Sequence, residues 1–314
     1  MPTCRAWTRI FGVLLHDEGT GMIIETQEDV TRAVLAEMYR TPDARTREIL
    51  SVLVRHLHAA VRELRLTERE FHAAIALVNE IGQKTSPSHN EAMLLAGSLG
   101  VSNLVCLLNN GALGTRPTQA NNLGPFYRAG APHCENGASL LRSPTPGQAL
   151  YFKGYVLDEK KNPVAGAEVD VWHSSTVGLY ENQDPAQADM NLRGRFVTAA
   201  DGSFAFRSVK PAGYPVPTDG PTGTLLRAQQ RHNMRPAHLH FLIYKPGFKT
   251  IASQVYDPED PHLETDSQFG VTRALIGNYA KRGDGSYALE FTFVLEAGEA
   301  SRPRAPITGK AVAA

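Results

Sequence analysis

Arg235-Pro236-Ala237-His238-Leu239-His240-Phe241-Leu242-Ile243-Tyr244 reads as a β-strand entered through a proline. After Pro236 the run is apolar and β-prone, and side chains on a strand alternate faces with period two. His238 and His240 therefore point the same way, with Arg235 just upstream. Two neutral imidazoles on one face of a rigid strand form a metal half-site. A lone pair of this kind is more often polar packing than ligation, so its meaning depends on its company. His56 and His58 have the same spacing but lie in a segment of helical periodicity, where residues two apart face different directions.

Outward from that strand the chain is β-rich from about Thr118. Runs at Leu150–Leu157, Ala167–His173, Gly194–Thr198, Ser203–Val209, Ala237–Lys245, Thr250–Tyr256 and Tyr287–Leu295 are separated by Gly and Pro, the pattern of a sandwich or barrel. Asp158 to Gly166 reads as a hairpin, and Asp201-Gly202 as a tight turn. The segments Gln183–Leu192 and Pro211–Gly223 are too irregular for strands, and loops of that length in a compact domain are usually functional.

The first third is helical. Thr26 with Asp29 and Thr67 with Glu70 are capping boxes, each followed by an apolar stripe. Leu50, Leu53, Leu57, Val61 and Leu64 make a third stripe, and a single helix is expected from Glu91 to Asn109. These stripes read as helix or subunit packing. The expected organisation is an N-terminal extension (1–21), with Met22 offering a second start, then a helical region (22–117), an antiparallel β-sandwich (118–300) and a loose tail (301–314).

Acidic and basic residues balance at 32 each and no basic block stands out, which argues against nucleic acid and anionic membranes as partners. The early apolar run Ile10–Leu15 is too short to span a membrane and lacks a signal-peptide cleavage pattern. Cys4, Cys106 and Cys134 form no CxxC pair, which suits a reducing compartment, with cytoplasm the default.

Two loop tyrosines give the histidine pair its company. Tyr180 ends Ser174-Ser175-Thr176-Val177-Gly178-Leu179-Tyr180, just after the strand Val169-Asp170-Val171-Trp172. Tyr214 lies in the proline-stiffened Pro211-Ala212-Gly213-Tyr214-Pro215-Val216-Pro217. With the separations Tyr180 to Tyr214 of 34 residues and Tyr214 to His238 and His240 of 24 and 26, the chain resembles the intradiol ring-cleavage dioxygenases, non-haem ferric enzymes that open catechols between their hydroxylated carbons. The resemblance runs from about Glu25 to Leu295. It includes Phe152-x-Gly154, Gly178-Leu179-Tyr180, Gly220-Pro221-Thr222, the Arg235–His240 hexapeptide and Gln254. Lys161, where the family usually has a small residue, is a departure at a surface turn.

The resemblance implies one Fe(III) per subunit held by Tyr180, Tyr214, His238 and His240, with Tyr214 the ligand that a bound substrate displaces. It implies that Arg235 stabilises the electron-rich ring, that Gln254 supports Arg235, and that the N-terminal helices make a homodimer. Chemistry agrees on the metal: phenolates are hard donors that favour Fe(III) over zinc, and a zinc hydrolase built on these four residues would lack a carboxylate base. Substrates would be a small aromatic diol or triol and O2. Asn121-Asn122-Leu123-Gly124-Pro125-Phe126-Tyr127, Tyr214-Pro215-Val216-Pro217 and Asn191–Phe196 resemble the hydroxyquinol-cleaving branch, with catechol the alternative. Pocket walls are expected from Leu104 to Leu108 and from Leu123, Gly124, Pro125, Phe126, Val216 and Pro217. A non-enzymatic transthyretin-like sandwich is the competing reading from another class.

Overall fold

The computed structural model describes residues 23–110 and 117–309. The expected extension at 1–21, Met22, Cys4 and the end of the expected tail, 310–314, lie outside the described residues. The described residues divide into two compact units, with the boundary between Ile75 and Ala76.

The first unit contains α1 (Gln27–Met38), α2 (Ala44–Leu64) and the first turns of α3 (Glu68–Lys84). Both capping boxes form: the Thr26 hydroxyl accepts from the Asp29 amide while Asp29 accepts from the Thr26 amide, and Thr67 and Glu70 do the same. Asp43 caps α2 by accepting from the Thr46 amide. His58 bonds Thr31 across the α1–α2 contact at 2.9 Å while His56 faces solvent, so this second histidine pair does not converge. Leu53, Leu57 and Val61 stand about half exposed on α2.

The second unit is a sandwich of two four-stranded sheets. One orders β4 (Ser203–Val209), β1 (Ala149–Asp158), β10 (Tyr287–Leu295) and β9 (Tyr279–Lys281). The other orders β3 (Arg193–Val197), β2 (Glu168–His173), β7 (His238–Tyr244) and β8 (Ile251–Tyr256). The expected strands are therefore present. One pairing departs from the antiparallel expectation: β1 and β10 run parallel along their length, from Leu150↔Tyr287 to Asp158↔Leu295. A parallel neighbour needs a long connection, and here the whole domain supplies it.

The expected turns form, and each also carries the chain from one sheet to the other. Asp158–Gly166 joins β1 in one sheet to β2 in the other, and the turn at Asp201-Gly202 carries β3 across to β4. The first is the expected hairpin, closed by the antiparallel bridge Leu157↔Pro163 with the Val164 amide donating to the Val156 carbonyl, and the second the expected tight turn, with the Gly202 amide donating to the Ala199 carbonyl. Lys161 adopts the left-handed region, φ 68°, inside a turn held by Asp158, which accepts from the amides of Lys160 and Asn162.

Strand burial shows which sheet carries the site. On β1 buried and exposed residues alternate, so its sheet has one face toward the core, whereas β2 and β7 are buried on both faces. Leu239, Phe241 and Ile243 point into the inter-sheet core, where Phe241 meets Phe152 at 5.0 Å and Phe293 at 4.8 Å between ring centroids. The opposite face of the same sheet carries Trp172 and Leu242 in a second cluster with Phe126, Tyr180 and Tyr214.

The single helix expected from Glu91 to Asn109 is two: α4 (Glu91–Ser98) and α5 (Val101–Asn109), with axes 78° apart. Gly100 at φ 73° makes the break, a backbone state that glycine enters without a Cβ clash. Within the expected irregular stretch Pro211–Gly223, Tyr214–Pro215 forms a short strand, β5, paired with β6 (Met234–Arg235), and Pro221 starts α6 (Pro221–Ala228). Buried Glu91 caps that helix by accepting from the Thr222 amide at 2.8 Å, a tertiary partner 131 residues away that local sequence does not reveal. Among the described residues no single helix is long and apolar enough to cross a membrane.

His173, at the end of β2, ties the two sheets together. Its Nδ1 lies 2.7 Å from the Ser174 carbonyl, to which it donates, so Nε2 accepts from the Ser208 hydroxyl of β4 at 2.7 Å. Burial pulls its pKa down to about 4, against the opposing effect of the Ser174 carbonyl. The unfolded chain protonates near the ordinary value of about 6.5, so stability from His173 is complete above that pH and is lost as pH falls toward 4. The expected loss is about 3 kcal/mol. Urea unfolding of wild type and His173→Gln at pH 7 and pH 4.5 tests this; the variant should show the shallower pH dependence.

Candidate active site

The register of the second sheet places Arg193, Trp172, His240 and Gln254 opposite one another across β3, β2, β7 and β8. They form one continuous row on the face away from the inter-sheet core. His238, two residues before His240, pairs with Tyr256 in the adjoining row. Trp172 stacks on the His240 ring at 4.7 Å and 8°, which fixes the imidazole plane.

Tyr180 follows β2 in a loop and Tyr214 sits on β5, opposite Arg235 on β6. The two tyrosine loops are packed against each other: the Ser174 hydroxyl donates to the Ala212 carbonyl, and a Cβ on Gly178 would lie 2.9 Å from the Gly213 carbonyl oxygen. The phenol oxygens end 3.4 Å apart, and the His238 and His240 Nε2 atoms 3.0 Å apart. All four side chains are at most 2% exposed. The expected ligand residues are thus brought together in one place.

The imidazoles are neutral and turned toward each other. His238 Nδ1 lies 2.6 Å from the Pro236 carbonyl and donates to it, which leaves a lone pair on Nε2. Burial, then the Arg235 charge, takes its pKa down to about 3. His240 is held well below its ordinary value by burial and then by His238. Its Nδ1 has no hydrogen-bond partner among the described residues. Burial, followed by the neighbouring Tyr214, pushes the Tyr180 phenol well above its usual value. A phenolate there needs a strong cation against its oxygen. The donor set therefore fits a hard, highly charged metal ion. Among the described residues no three His, Cys, Asp or Glu side chains gather as a metal site, so any site built here must use the phenols.

Arg235 is held by a buried ion pair and reaches the tyrosine beside it. It makes a bidentate ion pair with Asp266, Nε to Oδ1 and Nη2 to Oδ2 both at 3.0 Å. It also donates to Gln254 Oε1 and Tyr256 Oη at 3.0 Å, and Nη1 lies 3.5 Å from the Tyr214 oxygen. Burial opposes its charge, but Asp266 and the phenols of Tyr256 and Tyr214 hold its pKa well above the ordinary value. Gln254 is anchored in turn by donating to the Asn122 carbonyl at 2.7 Å.

A cleft opens beside Tyr214 and Arg235, lined also by Gly124, Pro125, Val216, Met93, Leu94 and Gly97, with Ser102, Asn122 and Gln268 as polar members. Of the expected wall residues Gly124, Pro125 and Val216 line it. Leu104 does not: it is 59% exposed, because the break at Gly100 makes α4 and the first turn of α5 the lining segment. Leu123 packs with the aromatic cluster, and Phe126 stacks on Tyr180 at 4.6 Å. Phe126 and Pro217 line a separate surface cleft. Cys106 packs against the inter-sheet core, and burial raises its pKa to about 11. Gly124 is at φ 78°, and a Cβ there would lie 3.2 Å from His240 Cε1. Asp266, Tyr256 and Gln268 come from the segment after β7 and carried no local sequence signal.

This arrangement belongs to a known class. The model for the family described as Dioxygenase matches residues 123–297, and that for Catechol dioxygenase N terminus matches 43–114. The chain belongs to the intradiol ring-cleavage dioxygenases and is an enzyme of that type, which excludes the non-enzymatic sandwich reading. The family is iron-dependent.

Among its relatives, the hydroxyquinol 1,2-dioxygenase of Rhizobium sp. (strain MTP-10005) is 40% identical over 85% of this chain and 90% of its own length. The 6-chlorohydroxyquinol 1,2-dioxygenase of Cupriavidus pinatubonensis is 40% identical over 86% and 97%. The solved structure of hydroxyquinol 1,2-dioxygenase from Pseudomonas putida DLL-E4 superposes with a TM-score of 0.77 at 35% identity, covering 87% of this chain and 99% of that one.

The crowding at Gly178, whose φ is 77°, makes a direct prediction. Gly178→Ala should lower the unfolding free energy by about 1–3 kcal/mol, through backbone strain and the clash with the Tyr214 loop. An unchanged urea midpoint would show that the two loops are not locked together.

Proposed function

We propose that this enzyme opens hydroxyquinol, benzene-1,2,4-triol, with O2 between its adjacent hydroxylated carbons to give 3-hydroxy-cis,cis-muconate. The reaction would take place at one Fe(III) per subunit held by Tyr180, Tyr214, His238 and His240. The observation that carries this reading is the convergence of two buried phenols and two neutral imidazoles beside a paired guanidinium. Support for hydroxyquinol comes from the two relatives at 40% identity, named for hydroxyquinol and its chloro derivative; a Candida albicans relative named catechol 1,2-dioxygenase is 33% identical.

Bound ferric iron would supply the Lewis acidity that ionises the diol and the electron transfer that lets its ring react with O2. The protein does the rest. Tyr214 Oη is the base for one diol proton, and Arg235 Nη1 at 3.5 Å steadies the charge exchanged between that oxygen and the ring. Gln254 and Asp266 hold the guanidinium in place, and Tyr180 would stay among the residues that hold the metal. Phe126 and Trp172 close the site to water by packing on Tyr180 and His240. Ser102, Asn122 and Gln268 are the polar groups available to the third hydroxyl, which costs about 1–3 kcal/mol if buried without a partner.

A homodimer belongs to the same proposal, with the apolar face of α2 covered by a second subunit. The helical region at 22–117 and the sandwich at 118–300 would divide the labour between assembly and chemistry.

Ferric protein should be burgundy-red from tyrosinate-to-iron charge transfer and should consume O2 faster with hydroxyquinol than with catechol. Colourless, inert protein after iron loading would overturn the reading; faster uptake with catechol would replace the substrate. Arg235→Leu should keep its iron and colour while kcat falls ~100-fold or more. Normal turnover in that variant would remove Arg235 from the mechanism.

A further inference from the structure

The row that presents His240 to the site begins at Arg193, a charged residue for which the proposed reaction has no task. Arg193 is 1% exposed and lies across from Trp172, on which His240 stacks. Its Cζ lies over the Tyr180 ring, 5.9 Å from the centroid, within reach of a cation–π interaction. Phe126 stacks on the same ring.

The guanidinium is held by the two residues that follow Tyr180: Nε donates to Glu181 Oε2 at 2.6 Å and Nη2 to Asn182 Oδ1 at 3.1 Å. Its Nη1 has no hydrogen-bond partner among the described residues. Glu181 is shared with Arg128, which also pairs with Asp189 at 2.8 Å. Stability alone is a poor reason for this cluster, because apolar residues of similar volume often serve as well as a buried ion pair. What the cluster does provide is a fixed positive charge against one tyrosine. Tyr214 has Arg235 and Asp266 beside it; Tyr180 has Arg193 and Glu181.

We propose that Arg193 is a positioning residue that tunes the donor strength of Tyr180 toward the metal, with Glu181 setting how much of its charge the ring feels. The inference rests on the proposed ferric site. A guanidinium over a phenolate stabilises its filled π orbitals, so more energy is needed to move an electron from tyrosinate to iron. Removing the positive charge moves the charge-transfer band to longer wavelength; removing the negative charge of Glu181 moves it to shorter wavelength.

The test is the visible spectrum of iron-loaded wild type, Arg193→Gln, Glu181→Gln and the double variant, with circular dichroism to confirm folding. We expect a red shift in R193Q, a blue shift in E181Q, and an intermediate band in the double variant. A role confined to anchoring the loop moves neither band, or moves both the same way through a common disturbance of the site. Coloured wild type with unmoved or same-direction shifts overturns this inference and leaves the ferric reading intact. Colourless iron-loaded wild type overturns both. If R193Q does not fold, the sign in the near-isosteric E181Q decides: an unmoved or red-shifted band rejects the proposal.

Discussion

The position of β7 between β2 and β8 is the constraint from which the site follows. Hydrogen bonding on both sides fixes its register, and the two-residue repeat then sends Leu239, Phe241 and Ile243 into the inter-sheet core and His238 and His240 to the other face. A slip of one residue would exchange the two sets, burying imidazoles among phenylalanines. The aromatic core therefore does more than stabilise the sandwich. By rejecting slips of β7 by one residue, it keeps the imidazoles on the face where the tyrosine loops can meet them.

Those loops are held by polar contacts rather than by strand pairing alone. The Ser174 hydroxyl, the close approach at Gly178 and the short β5–β6 ladder bring Tyr180 and Tyr214 to one point from segments 34 residues apart. The electrostatics are arranged in parallel. Each phenol lies near a buried guanidinium, and each guanidinium has a buried carboxylate partner, so the cationic influence on each tyrosine is present without an unpaired charge in the interior.

Much of this was legible in the sequence, for physical reasons that differ from residue to residue. The strands were visible because short β-prone runs between Gly and Pro leave a strong local trace, and the capping boxes because both partners lie within three residues. His238 and His240 were visible because a strand turns spacing into direction. Tyr180 and Tyr214 could be linked to them only through resemblance to a family, since nothing local joins four residues spread over three segments. Asp266, the partner of Arg235, and Glu91, the cap of α6, were hidden because their contacts span 31 and 131 residues. The cleft wall was displaced from Leu104 to α4 because one glycine, Gly100, bends what otherwise reads as a continuous helix.

The parallel pairing of β1 with β10 has a consequence for the order in which the enzyme comes into being. β1 gains β4 as a neighbour early in the chain, but its other edge stays open until Tyr287–Leu295 has been made. Every residue proposed to hold the metal, from Tyr180 to His240, leaves the ribosome before that closing strand. The first sheet is thus completed last, by a contact between the first and last strands of the sandwich, and such long-range closure is intrinsically slow. During synthesis the open edge of β1 is an adhesive surface, and β10 is what removes it.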